Sequence, residues 1–245
     1  LTRDGLTIYY YLGVKNANWH IVEARRSSLK EPFVQIRMLN EIYDGDRTIT
    51  PWISSDELRL YYAEDAISHE GEYTLMMAER ATKDDLWTVR FAFSGIHMNG
   101  YTDHEPSLSD NELTIYWLST RPGGYGSASI WMATRNSIDE PFDSTTVRNV
   151  SELNTNFASG NSKGPCLMPD GLTIFFSSKR DGQSIAHIFK ATRPSVNEPF
   201  GNIERFGPCD PSIGEWSVSV SVDEKEIFFK RSEEIGILSS YLQEE

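Results

Sequence analysis

Leu167-Met-Pro-Asp-Gly-Leu-Thr-Ile-Phe-Phe-Ser-Ser-Lys-Arg-Asp-Gly182 decides how the chain is read, because its central part occurs five times in all. Aligned on the acidic or amide residue of a tight turn, the copies are Asp4-Gly5-Leu-Thr-Ile-Tyr-Tyr10, Asp56-Glu57-Leu-Arg-Leu-Tyr-Tyr62, Asn111-Glu112-Leu-Thr-Ile-Tyr-Trp117, Asp170-Gly171-Leu-Thr-Ile-Phe-Phe176 and Asp223-Glu224-Lys-Glu-Ile-Phe-Phe229. The turn residues lie 52, 55, 59 and 53 positions apart. A period near fifty, built from β-branched and aromatic residues around a turn, is the mark of sheets repeated about an axis.

Working outward, each repeat predicts four antiparallel strands. A short inner strand of small and apolar residues ends in the turn, as in Pro51-Trp-Ile-Ser-Ser-Asp56 or Pro106-Ser-Leu-Ser-Asp-Asn111. The strand Leu-Thr-Ile-Tyr-Tyr follows, with paired aromatics to fill the space between neighbouring sheets. A third strand closes on Ala24-Arg-Arg26, Ala78-Glu-Arg80, Ala133-Thr-Arg135 or Ala191-Thr-Arg193. Glu31-Pro-Phe33, Asp85-Leu-Trp87, Glu140-Pro-Phe142 and Glu198-Pro-Phe200 then open a fourth, outer strand, where a free edge tolerates proline. The turn Asp should accept hydrogen bonds from turn N–H groups while Gly supplies positive φ.

The expectation is one all-β domain over residues 1–245, a five-bladed β-propeller of four-stranded antiparallel blades. Blades fall at about 1–46, 47–102, 103–161, 162–213 and 214–245. The fifth repeat lacks the Ala-x-Arg and Glu-Pro-Phe elements, with a third strand at Gly236–Tyr241, so the last blade is incomplete or closed by residues N-terminal to the rest. The polar link from Val150 to Gly164 is expected as a surface loop, and Asn149-Val-Ser151 fits a glycosylation sequon.

Thirty-six acidic against 23 basic residues give a net charge of −13, which disfavours nucleic acid and anionic membranes as partners. No run of about 18 apolar residues exists, so no membrane insertion is expected. Cys166 and Cys209 both precede or enter inner strands; a disulfide and two buried thiols are both compatible with their positions.

Ser119-Thr-Arg-Pro-Gly-Gly124, Ile130-Trp-Met-Ala-Thr-Arg135 and Glu140-Pro-Phe142 resemble the TolB-like (WD-like) β-propeller repeat of bacteria. The likeness covers nearly the whole chain, strongest in repeats three and four. It implies a propeller that binds a protein, peptide or glycan, in a periplasmic or secreted bacterial protein. It carries no catalytic residues. That the ring is one domain of a longer protein is kept as a third alternative.

By register, the loops entering the inner strands place Arg47, Asp103, His104, Glu105, Lys163, Glu215 and Trp216 around the channel mouth, as a ligand-binding face. A second set joins the middle strands: Asn16, Asn18, His69, Glu70, Arg121, Tyr125, Arg180 and Asp181. Strand alternation would put Asp103 and Glu105 on one side of their strand. Glu105 and Glu215 should both face the channel, which keeps a glycoside hydrolase or lyase in view as the alternative. No phosphate-binding Gly loop, His-Glu-x-x-His, Cys-x-x-Cys or Gly-x-Ser-x-Gly occurs, so neither cofactor nor metal is expected.

Overall fold

The computed structural model of the chain describes residues 1–13, 19–43, 47–65, 72–93, 95–155, 162–180, 185–207, 214–231 and 238–242. These residues form antiparallel sheets with almost no helix, in a β-propeller arrangement. The first sheet pairs β1 (Thr7–Gly13), β2 (Trp19–Arg25) and β3 (Val34–Met38) in that order. The second holds β4 (Thr48–Ile53), β5 (Arg59–Asp65), β6 (Tyr73–Glu79) and β7 (Thr88–Ala92). The third holds β8 (Asp103–Leu108), β9 (Thr114–Ser119), β10 (Ser129–Thr134) and β11 (Arg148–Asn149). The fourth holds β12 (Ser162–Leu167), β13 (Thr173–Ser178), β14 (His187–Thr192) and β15 (Gly201–Arg205). The fifth has β16 (Glu215–Val220), β17 (Glu226–Arg231) and β18 (Leu238–Leu242).

The aromatic doublets explain why these sheets stand side by side. Neighbouring residues of a strand point to opposite faces, so each doublet sends one ring to either side. Tyr62 packs with Tyr9, Ile21 and Trp87, between the second sheet and the first. Tyr61 packs with Phe93, Trp117 and Phe142, between the second and the third. Tyr116 meets Phe176 and Phe200, and Phe175 meets Val218 and Phe229. Phe228 packs with Ile8 and Ala24, bringing the fifth sheet against the first. Tyr61, Tyr62, Phe175 and Phe176 are fully buried, each worth about 3 kcal/mol of transfer free energy.

The Ala-x-Arg signature serves as an inter-sheet clamp. Arg26, Arg80, Arg135 and Arg193 each donate Nε–H to the carbonyl of a turn residue, Gly5, Glu57, Glu112 and Gly171, at 2.7, 2.9, 2.8 and 2.8 Å. Each guanidinium lies over the ring of the following segment: Phe33, Trp87, Phe142 and Phe200 at 4.5, 4.3, 4.5 and 4.3 Å. A further donor of three of them reaches back to a tyrosine hydroxyl of the preceding sheet. Arg135 donates to Tyr61 Oη at 2.8 Å and Arg193 to Tyr116 Oη at 3.3 Å. Arg26 instead grips both carboxylate oxygens of Glu226 in the fifth sheet.

The turns behave as expected. Asp4, Asp56, Asn111, Asp170 and Asp223 accept from the N–H two residues on at 2.9, 3.0, 3.1, 2.8 and 3.2 Å. Three turns place Glu57, Glu112 and Glu224 in the left-handed region, where Gly5 and Gly171 sit in the others. Ser54, Ser109 and Ser221 belong to these turns: each hydroxyl donates to the turn Asp or Asn and accepts an N–H from the next strand.

Two expectations change. In the third repeat a 3-10 turn, Ser144–Thr146, capped by Asp143, follows Pro141-Phe142 and leaves an outer strand of two residues. Asn154 in the polar link is buried, not a surface group: its side chain accepts from Ile130 N–H and donates to Ile130 C=O, both at 2.9 Å, extending the outer edge of β10. Cys166 is partly buried against Phe175 and Val218, and Cys209 lies outside the described residues, so their pairing does too.

Removing a buried partner costs far more than removing an exposed one. Arg26→Ala should lower unfolding free energy by about 3 kcal/mol in urea titration, because it strands Glu226 at a nearly dry interface. Arg3→Ala breaks an ion pair with Asp110 that is roughly half exposed at both ends, and should cost less than about 1 kcal/mol. Equal losses would mean that the clamp does not hold the first and fifth sheets together.

Candidate functional site

The axis of the molecule is walled by the inner strands β4, β8, β12 and β16, and all four carry the same irregularity. Their pairing slips between Ile49 and Trp52, His104 and Ser107, Lys163 and Cys166, and Trp216 and Ser219. At each slip one residue has positive φ: Thr50 at 51°, Glu105 at 57°, Gly164 at 57° and Ser217 at 53°. All four stand six positions before their turn residue. A bulge of this kind adds one residue to one strand and turns the chain. Pro51, Pro106 and Pro165 come next in three of the strands, and Val218 in the fourth. Proline fits there because the inward edge of an innermost strand has no ladder partner to lose.

These residues form a waist across the axis and divide it into two recesses, both touched by Leu1, Pro51, Pro106, Pro165 and Val218. One recess, with a cavity volume of about 130 Å³, is lined by Tyr9, Tyr10, Tyr11 and Trp19, by the four bulges, and by Lys230. Its lining, apolar and aromatic walls with a few convergent polar groups, is of the kind found in ligand sites.

Glu105 occupies its centre. The side chain leaves β8 and is held by two other sheets: Gly164 N–H donates to Oε2 at 2.7 Å and Ser217 Oγ donates to Oε1 at 3.1 Å. The N–H of Glu105 itself donates to Thr50 Oγ1 at 3.1 Å. One residue thus ties four inner strands together. Lys230 lies over the rings of Trp19 and Tyr11 at 5.2 and 5.6 Å. Burial pushes its ammonium below the ordinary lysine value, and the Glu105 charge opposes that. Burial, with Glu105 nearby, lifts the Tyr11 phenol to about 12. Among the described residues, the side chains lining the recess present one carboxylate, one ammonium and aromatic walls.

The other expected site residues divide into three groups. His104 stands behind Glu105, Nδ1 4.0 Å from Oε1, with its ring 5.7 Å from Tyr73; burial lowers its pKa. Lys163 lies 5.1 Å from the centre of the Trp216 ring, and Lys179 5.7 Å, so these three cluster at the rim. Arg47 is 3.8 Å from Asp65 and stays with its own sheet.

Asp103 and Glu215 are the corrections. Asp103 is 1% exposed and faces between sheets, accepting from Trp117 Nε1 at 2.9 Å and Arg121 Nη2 at 2.8 Å, with His97 Nδ1 at 3.3 Å. Strict alternation would have kept it beside Glu105; the bulge at Glu105 resets the alternation and separates them. Glu215 is 1% exposed and does not line the recess. Arg121 and Arg180 also turn inward, onto Ile96 C=O and Leu153 C=O at 2.6 Å each. Tyr125 is exposed. Asn16, Asn18, His69, Glu70 and Asp181 lie outside the described residues.

Sequence reasoning missed Lys230 and Tyr11. Both stand seven positions after the turn residue, where the other repeats have Ala63, Leu118 and Ser177. A lysine in that otherwise small or apolar column was the available signal.

No family model and no curated protein sequence matches the chain. Among solved structures, TolB from Acinetobacter baumannii is similar over 98% of this chain and 53% of its own, at 16% identity and a TM-score of 0.57. The chain therefore spans about half the length of that protein. An endo-1,4-beta-xylanase from Bacteroides thetaiotaomicron is similar over 96% of this chain and 84% of its own, at 15% identity and TM-score 0.61. An endo-arabinase from the same organism is similar over 99% and 94%, at 11% identity and TM-score 0.61. The likeness is one of fold.

The two roles of the acids near β8 are separable by titration. Burial alone would raise the Asp103 pKa, but hydrogen bonds and charge from His97, Arg121, Ser119 and Trp117 hold it below the ordinary carboxylate range. A folded pKa lower than the unfolded one adds stability above the unfolded value, lost as pH falls through the folded value. Asp103→Asn should cost about 3 kcal/mol at pH 7. Its urea midpoint should also fall less steeply than wild type between about pH 5 and 2. Parallel curves would show that Asp103 is not ion-paired.

Proposed function

We propose that the chain is a single five-bladed β-propeller domain over residues 1–245 that binds a ligand without transforming it. In this reading all five sheets are blades, the first and last with three strands among the described residues. The ligand, a protein segment, peptide or glycan, enters the recess at Glu105 and passes the rim residues Lys163 and Trp216. The repeat's resemblance to exported bacterial propellers and the acidic surface support a periplasmic or secreted location. They also support a role as a docking module for other parts of a longer chain.

One observation carries the binding reading. Among the described residues lining the recess, Glu105 is the only acid, and both its oxygens already accept hydrogen bonds. Two-carboxylate hydrolysis of a glycoside needs a second acid roughly 5–10 Å away across the substrate. The candidates for that role, Asp103 and Glu215, are buried elsewhere. The xylanase and arabinase likenesses bring the fold without that pair. A rigid ring instead holds Glu105, Lys230 and the aromatic walls in place before the ligand arrives, so little ordering entropy is lost on binding.

A glycan and peptide array probed with wild type and Glu105→Gln tests this. Wild type should retain a set of ligands, and Glu105→Gln should weaken them by about tenfold, equivalent to about 1.4 kcal/mol. Turnover of any oligosaccharide by wild type, abolished in Glu105→Gln with affinity kept, would replace binding with catalysis.

A further inference from the structure

Arg121 and Arg180 occupy the same place in consecutive sheets, ten positions after the turn residue. Their surroundings match group by group. Arg121 lies over the rings of Trp117 and Trp131 at 5.0 and 5.4 Å, and Arg180 over those of Phe176 and Phe189 at 4.9 and 5.3 Å. Each donates from Nη2 to a carbonyl at 2.6 Å, Ile96 in one case and Leu153 in the other. One partner differs. Asp103 stands opposite Ser119 in the third sheet and accepts from Arg121 Nη2 at 2.8 Å. At the same rung of the fourth sheet Ser162 stands opposite Ser178 and brings no charge.

Serine in place of aspartate leaves a guanidinium uncompensated. Among the described residues no acid pairs with Arg180, and its Nε, shut off from water, has no hydrogen-bond partner. Arg121 Nε donates to Ser119 Oγ at 2.9 Å, but the matching Ser178 hydroxyl is engaged with Ser162 Oγ at 3.1 Å. Burial pushes the Arg180 pKa down to about 10, the direction expected of a cation without a counter-charge. A charge taken from water and left unpaired is costly. Arg180 also opens on a polar recess of about 350 Å³, lined besides by Tyr125, Ser151, Asn154 and Thr155. That recess shares no residue with the one at Glu105.

We infer that this second recess binds a small carboxylate, which gives Arg180 the counter-charge that Asp103 gives Arg121. A guanidinium held over two rings presents its N–H groups as a fixed fork, which the two oxygens of a carboxylate match. The third sheet shows the preference directly, since the group that completes the same surroundings there is a carboxylate. Tyr125 and Ser151 place hydroxyls beside the guanidinium for the rest of the ligand. The site is independent of the binding reading above and stands or falls without it.

The test titrates sodium acetate into the intact chain against sodium chloride at constant ionic strength, following the Nε–H signals of Arg121 and Arg180 by NMR. The Arg180 signal should move and saturate with a Kd below about 10 mM, while that of Arg121, already paired, stays in place. Acetate at about ten times that Kd should also raise the thermal midpoint by about 2 °C or more. The rise should vanish in Arg180→Gln, and in Ser162→Asp, which supplies the missing carboxylate from the chain itself. Should Ser162→Asp fail to fold, Arg180→Gln still decides. An Arg180 signal that does not saturate, an Arg121 signal that moves equally, or a midpoint rise kept in Arg180→Gln overturns the inference. Sodium phosphate saturating the site where acetate does not overturns the choice of a carboxylate.

Discussion

A sheet of three or four strands with large rings on both faces cannot be stable alone, because both faces must leave water. Stacking such sheets in a line would leave two wet aromatic faces at the ends. Bringing the last sheet against the first removes both ends, and the core here does this: Phe228 of the fifth sheet meets Ile8 and Ala24 of the first. The Arg clamps add direction to that burial. A guanidinium is planar and always charged, so lying over a ring while bonding a turn carbonyl fixes the spacing of neighbouring sheets as greasy contact alone does not. Where the first sheet meets the fifth, the tyrosine hydroxyl accepting from the clamp is replaced by a carboxylate, Glu226, giving that interface a charge-assisted, two-pronged bond.

Crowding at the axis sets the next constraint. Four inner strands approach one another there, and each bends by a bulge at the same place. Left-handed geometry for Thr50, Glu105 and Ser217 costs about 1–2 kcal/mol each, since none is glycine. Gly164 shows the unstrained alternative, although a side chain there would meet the Ser217 backbone at 3.1 Å. The strained residues bond one another: Glu105 N–H donates to Thr50 Oγ1, and Ser217 Oγ donates to Glu105 Oε1. Strain held at one level of the ring, by residues that bond one another, is a pattern found where a site is preorganised.

Much of this was legible. The five repeats, the strand order within each, the Asx-type turns and the aromatic following the outer-strand proline all come from local chemistry, which a single sequence displays. Glu105, His104, Lys163 and Trp216 were placed near the axis because register counts from a turn. Asp103 and Glu215 went wrong for a physical reason: alternation assumes an unbroken ladder, and nothing in Asp103-His-Glu-Pro106 announces left-handed backbone at Glu105. The recurrence of Thr-Pro, Glu-Pro and Gly-Pro six and five places before the turn was the visible trace. Lys230 is hard to read from sequence because the fifth repeat is the most divergent, which obscures that it shares a column with Tyr11, Ala63, Leu118 and Ser177.

The bulge also decides what the acids of this region can do. Without it, Asp103 and Glu105 would lie on one side of β8, close enough to share a proton or a cation. With it, Asp103 is spent between sheets neutralising Arg121, where a charge without a partner would be costly. Glu105 is left alone at the axis, bonded to a backbone N–H and a serine hydroxyl. With no second acid beside it among the described residues lining the recess, it has no partner for two-carboxylate displacement chemistry. It is well suited to fixing the position of what enters the recess. The same backbone feature that turns the inner strands around the axis thus separates the acids and leaves a centre built for holding.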